Sequence, residues 1–260
     1  MTSLRPKPPA PTIAVSTYAL RLGDDALILA QRLGGWIASA PQIEEDIALG
    51  NIALDLLGQA RVLLAYAGEV EGSGRSEDDL AFLRNERQFV NLQIVERPND
   101  DFAVTMARQL FFSTYQRALY ERLKASSDET LAGVAGKAAK EVDYHRDHAR
   151  QWVVRLGDGT DLSHARMQAG LDRMWPYVEE MFVSDELEAT LAADGVAVES
   201  ASLWSEWEEY VDSTLAEATL TRPTSSWTAM GGRSGLHTEQ FGYLLAEMQH
   251  VHRSHPGATW

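Results

Sequence analysis

The stretch Ile43–Ala67, IEEDIALGNIALDLLGQARVLLAYA, decides the fold of this chain. Past the opening Glu44-Glu45-Asp46 cluster it carries only two charges, Asp55 and Arg61. Apolar residues from Ile47 to Tyr66 spread over most of the helical circumference. A helix that is apolar nearly all round is buried on nearly all sides. The spacing therefore predicts a central helix wrapped by several long neighbours. Pro41 and Gln42 open it and Gly68 closes it, a length of about seven turns. Asp55, in its middle, belongs either to a metal site or to a structural ion pair.

Working outward, Met1–Thr12 is proline-rich and reads as an extended leader outside the domain. A first helix is expected from about Val15 to Ser39, with Tyr18, Leu22, Ala26, Leu29, Leu33 and Trp36 at three- and four-residue spacing. After the central helix come a glycine-rich loop, 68–75, and a short helix, SEDDLAFLR, capped by Ser76. The β-prone run FVNLQIVER, 89–97, reads as a connector or one more helical turn. Pro98-Asn99-Asp100 starts a third long helix reaching about Ala125. Ser127-Asp128-Glu129 starts a fourth, Glu129–Leu156, stopped by Gly157. Two helix pairs with short turns, on either side of one long crossing at 68–99, describe an all-α, ferritin-like four-helix bundle over about 15–157. Further helices at 161–182 (kinked at Pro176), 184–191, 200–220 and 236–252 pack on it, giving one domain over 13–260 whose added helices span 161–255.

With 38 acidic against 23 basic residues and a net charge of −15, nucleic acid and anionic lipid are poor main partners, since both reward Lys/Arg patches. The absence of cysteine rules out disulfides, thiolate metal sites and thiol nucleophiles. The first residues lack the apolar core of a signal peptide, and no run of about eighteen apolar residues is expected to span a bilayer. The expected location is the cytoplasm.

A long four-helix bundle raises the question of a carboxylate-bridged di-iron centre. Such a site takes a Glu from each of two helices and a Glu-x-x-His from each of the other two. The i, i+3 spacing sets carboxylate and imidazole one turn apart on a common face. All seven histidines lie after residue 144. The second helix offers Asp55-Leu-Leu-Gly58 and the fourth Glu141-Val-Asp-Tyr144, with His145 about 100° further round. Asp24 (or Asp25), Asp55, Glu141 and Tyr144 are therefore degenerate ligand positions, and no metal or catalytic residue is assigned. Buried carboxylates need charge partners, for which Lys140, Arg108 and Arg117 stand on the same bundle. Glu247-Met-Gln-His250 does match the motif, but outside the bundle, where a chance match is expected. His145 and His148 lack a third zinc ligand. Gly231-Gly232-Arg233-Ser234-Gly235 could hold a phosphate through its N–H groups and Arg233, although the strand–turn–helix setting of a nucleotide loop is missing.

Five blocks carry a resemblance: QRLGGW (31–36), APQIEEDIALGNIALDLLGQAR (40–61), KEVDYHRDHARQWVVRLGDGT (140–160), MQAGLDRMWPY (167–177) and GLHTEQFGYLLAEMQ (235–249). From Tyr18 to Trp260 the chain resembles the C-subunit family of phenylacetyl-CoA epoxidases, also called ring-1,2-phenylacetyl-CoA oxygenases. The resemblance implies a bacterial monooxygenase complex of aerobic phenylacetate breakdown, dependent on NADPH and O2. In it, a catalytic A subunit holds di-iron, and a reductase with flavin and an iron–sulfur centre delivers electrons. The C subunit is implied to be the ferritin-like, non-metal structural partner, with no cofactor of its own. Its implied partners are the A subunit, the other epoxidase subunits and the reductase, and the isolated chain is open to homodimer formation. Trp175, Tyr177, Trp204 and Trp207 are expected to supply part of the subunit interface, or else to fill this chain's own core. Two alternatives stand beside this reading: an independent di-metal oxidase or oxygenase, and a subunit that contacts CoA through Arg233.

Overall fold

Two antiparallel helix pairs form the core of the molecule. Helix α1 (Ile13–Gly34) pairs along its length with α2 (Ile43–Glu71), and α3 (Phe102–Leu123) pairs with α4 (Glu129–Gly157). The structure, a computed structural model, describes residues 13–258, so the leader expected at 1–12 lies outside the described residues. Among the described residues the regular structure is all helical. A crossing at 72–101 links the two pairs and contains one π-type turn (Asp79–Leu83) and two 3-10 turns (Glu86–Gln88, Gln93–Glu96). That connectivity is the ferritin-like arrangement the helix spacing predicts.

The boundaries follow local chemistry. Asp101 caps α3 by accepting from Val104 N–H at 2.9 Å, and Asp128 caps α4 by accepting from Leu131 N–H at 3.0 Å. The first helix stops at Gly34 rather than Ser39. The chain leaves the helix through turns at 35–39, where Ala38 takes a φ of 64°, and Trp36 turns inward, its Nε1 donating to Thr105 at 3.0 Å. The central helix, in turn, runs past Gly68 to Glu71, where Gly72 takes the left-handed conformation. Gly68 is a packing glycine: a Cβ there would sit 2.1 Å from the Arg75 carbonyl oxygen.

Helix α5 (Asp161–Met174) packs on α3 and α4 and ends where Pro176 begins a 3-10 turn. After α6 (Glu186–Ala193) comes α7 (Trp204–Glu217), which lies on α3 and α4. Phe111, Tyr115, Trp175, Phe182, Trp204 and Trp207 form one aromatic cluster with ring centroids about 5–6 Å apart. Trp207 is fully buried and its Nε1 donates to the Phe111 carbonyl at 2.8 Å. Tyr177 is buried as well, and Trp175 and Trp204 are half-buried against the core. Tyr177 and Trp207 thus follow the second of the two expected roles and fill the chain's own interior, while Trp175 and Trp204 pack against that core and keep an exposed edge. Helix α8 (Glu239–Ser254) closes over the crossing, where Gln249 donates to the carbonyls of Ala81 and Arg84 at 3.0 Å each.

Candidate functional site

The degenerate ligand positions are distributed over three places. Along the α2–α4 seam, Asp55 Oδ2 lies 3.0 Å from His145 Nε2. One turn further along α2, Gln59 donates to Glu141 at 3.0 Å and accepts from the Tyr120 hydroxyl at 3.2 Å. Lys137 adds a contact to Glu141 at 3.4 Å. Near the α2 N-terminus, Glu45 pairs with His148 at 2.7 Å. Tyr144 points outward, about half exposed, with its ring tilted over His148. Asp24, fully buried, is held by the Arg84 guanidinium and by Val90 N–H at 2.9 Å, well away from the seam.

The expected ion pairs therefore exist, but with other partners. Arg108 donates to the Arg97 carbonyl at 2.5 Å and to Asn99 at 2.8 Å. Arg117 binds Asp143 and Glu121 on the outside of the bundle. The group facing Asp55 is the His145 imidazole, which i, i+4 spacing sets on the same face as Glu141. Counting from the motif spacing alone turned that imidazole away from the axis, whereas it is 1% exposed and faces α2. Gln59, Tyr120 and Glu45 were not recognised as part of the seam. The signal available was their place one turn from Asp55 or opposite it. Among the described residues no three His, Asp or Glu side chains are grouped so as to hold a metal ion.

Arg233 is turned into the molecule. Its guanidinium makes a two-pronged pair with Asp25, 3.0 and 2.7 Å, and also donates to the carbonyls of Arg21 and Val90. Asp25 additionally accepts from Leu92 N–H at 2.8 Å. The glycines around Arg233 serve this inward plug. Gly231 and Gly235 have positive φ, and a Cβ on Gly232 would lie 2.2 Å from the Asn91 carbonyl oxygen. Glu180 accepts from Gly232 N–H and from Gln93 N–H, both at 2.7 Å. Burial raises the Glu180 carboxyl, and those two N–H groups oppose the rise. Arg233 Nη1 and Nη2 thus face Asp25 and two backbone carbonyls inside the fold, not a solvent-facing phosphate cradle.

A second buried pair locks the start of α8. His237 Nδ1 faces Glu96 at 2.8 Å and its Nε2 faces the Phe89 carbonyl at 3.0 Å. Both neighbours are acceptors, so both ring nitrogens must carry protons. Burial lowers the His237 pKa, but the Glu96 hydrogen bond and charge, with the Phe89 carbonyl, outweigh it, and the net shift is upward.

Among the described residues nothing covers the outer face of α2. The outward side of α2 leaves Ile43 72%, Ile47 60% and Leu54 65% exposed, with Leu57 and Val62 beside them. This corrects the expectation that α2 is buried on nearly all sides. Helix α2 is also long and apolar enough to cross a membrane by length and composition, contrary to the reading that no such run exists. A core helix of a bundle passes the same test, and α2 packs on α1 and carries the buried Gln59. A groove of about 610 Å³ runs beside this face, lined by Leu27, Ala30, Ile37, Ile47, Leu54 and Leu57 among others.

Fold and seam together define a ferritin-like helical protein in which hydrogen bonds between side chains tie α2 to α4. Residues 5–260 match the PaaA_PaaC family, described as phenylacetic acid catabolic protein, and the chain belongs to that family. It is 48% identical over 246 residues to the C subunit of the 1,2-phenylacetyl-CoA epoxidase of Escherichia coli (strain K12), covering 95% of this chain and 99% of that relative. Its role lies in phenylacetate catabolism.

Proposed function

We propose that this chain is the structural, non-metal subunit of a cytoplasmic bacterial monooxygenase that epoxidises the ring of phenylacetyl-CoA. Its partner is the di-iron A subunit of the same complex, which performs the oxygen chemistry with electrons from an NADPH-dependent reductase. The observation that carries the reading is the bare apolar face of α2. A helix whose sequence is apolar all round, yet whose own chain covers one side only in part, is suited to burial by a second chain. The seam supports the same reading. Asp55 faces His145 and Glu141 faces Gln59, so the carboxylates that would bridge metals tie α2 to α4 instead.

The test is co-expression with the A-type subunit, followed by iron analysis of the complex and of each separated chain. A stable complex with iron confined to the partner is the expected result. Near-stoichiometric iron bound to this chain alone overturns the proposal and favours an independent di-metal enzyme.

A further inference from the structure

The bare face of α2 has a definite relief. Leu54 stands at its centre, with Gly50 one turn before it and Gly58 one turn after. A Cβ built on either glycine would meet no atom within 4 Å, and neither has a positive φ. Neither is therefore demanded by packing or backbone conformation inside this chain, although glycine weakens a helix interior. Each opens a notch in the surface. The notch at Gly50 continues into the groove beside Ile37 and Ile47, and the notch at Gly58 into a second groove of about 520 Å³ beside Val62, Ala65 and Tyr66.

We propose that one long helix of the partner bundle lies along α2, its axis within about 20° of parallel or antiparallel. Large apolar side chains of that helix fill the Gly50 and Gly58 notches on either side of Leu54. This rests on the assembly reading given above and adds its geometry. The notches are eight residues apart, about 12 Å along the axis. Residues seven or eight apart on a facing helix span about 10.5–12 Å, so a nearly aligned helix reaches both. At the steeper crossing of about −50°, a facing helix leaves α2 after one notch.

Charge identifies the occupant. Between residues 47 and 65 the exposed positions are Ile47, Asn51, Leu54, Leu57, Arg61, Val62 and Ala65, with one charge among them. Glu44 and Asp46 stand at one end of this stripe and Glu69 at the other, where Glu77 pairs with Arg61 at 3.8 Å. A partner helix with Lys or Arg flanking its apolar stripe complements those ends. A second copy of this chain, at −15 each, sets acid against acid. Ile37, Ile43, Ile47, Leu54, Leu57 and Val62 together expose on the order of 600 Å², most of the roughly 800 Å² per partner of a standard interface.

The experiment compares Gly50→Ala, Gly50→Leu, Gly58→Ala and Gly58→Leu in the full chain. Melting of each isolated variant is measured first, and then its affinity for the purified A-type subunit. Melting temperatures are expected to hold or rise for all four. Affinity is expected to fall at least tenfold for the leucine variants and less for the alanine variants, following the volume placed in the notch. Wild-type affinity in both leucine variants overturns the notch geometry while leaving the assembly reading standing. A drop in melting temperature overturns it too, by showing that the glycines serve this chain's own fold. If the leucine variants abolish only self-association, the occupant is a second copy and the proposal fails. If the wild-type chain does not bind the A-type subunit, the assembly reading itself fails.

Discussion

Replacing Arg233 by methionine separates a structural from a ligand-binding arginine. The substitution keeps a long side chain but removes both prongs of the pair with Asp25, whose carboxylate is 3% exposed. Asp25 keeps only the Leu92 N–H, and its charge stays buried. Breaking one side of a buried ion pair in this way costs about 3–5 kcal/mol. For a domain of this size about 2–4 °C is lost per kcal/mol, so Arg233→Met is expected to lower the melting temperature by roughly 6–20 °C. Thermal unfolding followed by circular dichroism reads this directly. The double variant Asp25→Asn/Arg233→Met removes both charges while Asn keeps an acceptor for Leu92 N–H. It is expected to be more stable than Arg233→Met alone, with a coupling of about 0.5–3 kcal/mol. Binding of acyl-CoA by the assembled complex is expected to be unchanged below the melting range. A melting temperature within about 2 °C of wild type, together with weakened acyl-CoA binding, refutes the reasoning and returns Arg233 to the surface as a phosphate contact.

Three further outcomes follow from the same networks. The raised pKa of His237 makes the protonated imidazole part of the fold. That stability is fully present below the unfolded value of about 6.5 and is lost as pH rises through the higher folded value. His237→Gln is therefore expected to flatten the decline in melting temperature above about pH 6.5, and a wild-type slope in that variant refutes the assignment. Gly232→Ala drives a methyl into the Asn91 carbonyl oxygen and crowds Glu180. It should cost more than about 2 kcal/mol in urea unfolding, whereas a change under about 0.5 kcal/mol shows that the loop gives way. Gln59→Glu sets two carboxylates face to face where Gln59 now donates to Glu141. The variant is expected to be destabilised at pH 7 and to recover as pH falls and one carboxyl takes a proton, and stability parallel to wild type across that range argues against the contact.

The helical architecture was legible because helix periodicity and capping are local. Pro98-Asn99-Asp100, Asp128 and Gly157 mark ends that the structure reproduces within a few residues. Gly68 misled as a stop signal. A glycine in sequence does not reveal whether it ends a helix, as left-handed Gly72 does, or admits a neighbour, as Gly68 admits Arg75. The seam was half legible. Asp55 and Glu141 stood out as acids in apolar helices, but their partners depend on how α2 and α4 are rotated about their axes. A rotation of one residue, about 100°, decides whether Tyr144 or His145 faces α2. The direction of Arg233 was not legible, because a glycine-flanked arginine looks the same in sequence whether it points at solvent or at Asp25. The acid that claims it is some two hundred residues away, and no local pattern links the two.

The same limit explains the largest error, the burial of α2. Hydrophobic periodicity records every contact a helix face is suited to, and does not record which chain supplies it. In a monomer that evolved alone, an apolar helix and its own neighbours should account for each other, and a residual apolar face should be small and scattered. Here the residue is contiguous: Ile43, Ile47 and Leu54 follow one another at helical spacing, with grooves on both sides. Burying an aliphatic side chain is worth about 1.5–3 kcal/mol relative to leaving it in water. Three or more in one row are a standing driving force for association, undiminished by any acid between Ile47 and Leu54. Reading the sequence as apolar all round and the structure as bare on one side is therefore no contradiction. The difference between them measures the part of the core that a second chain is suited to complete.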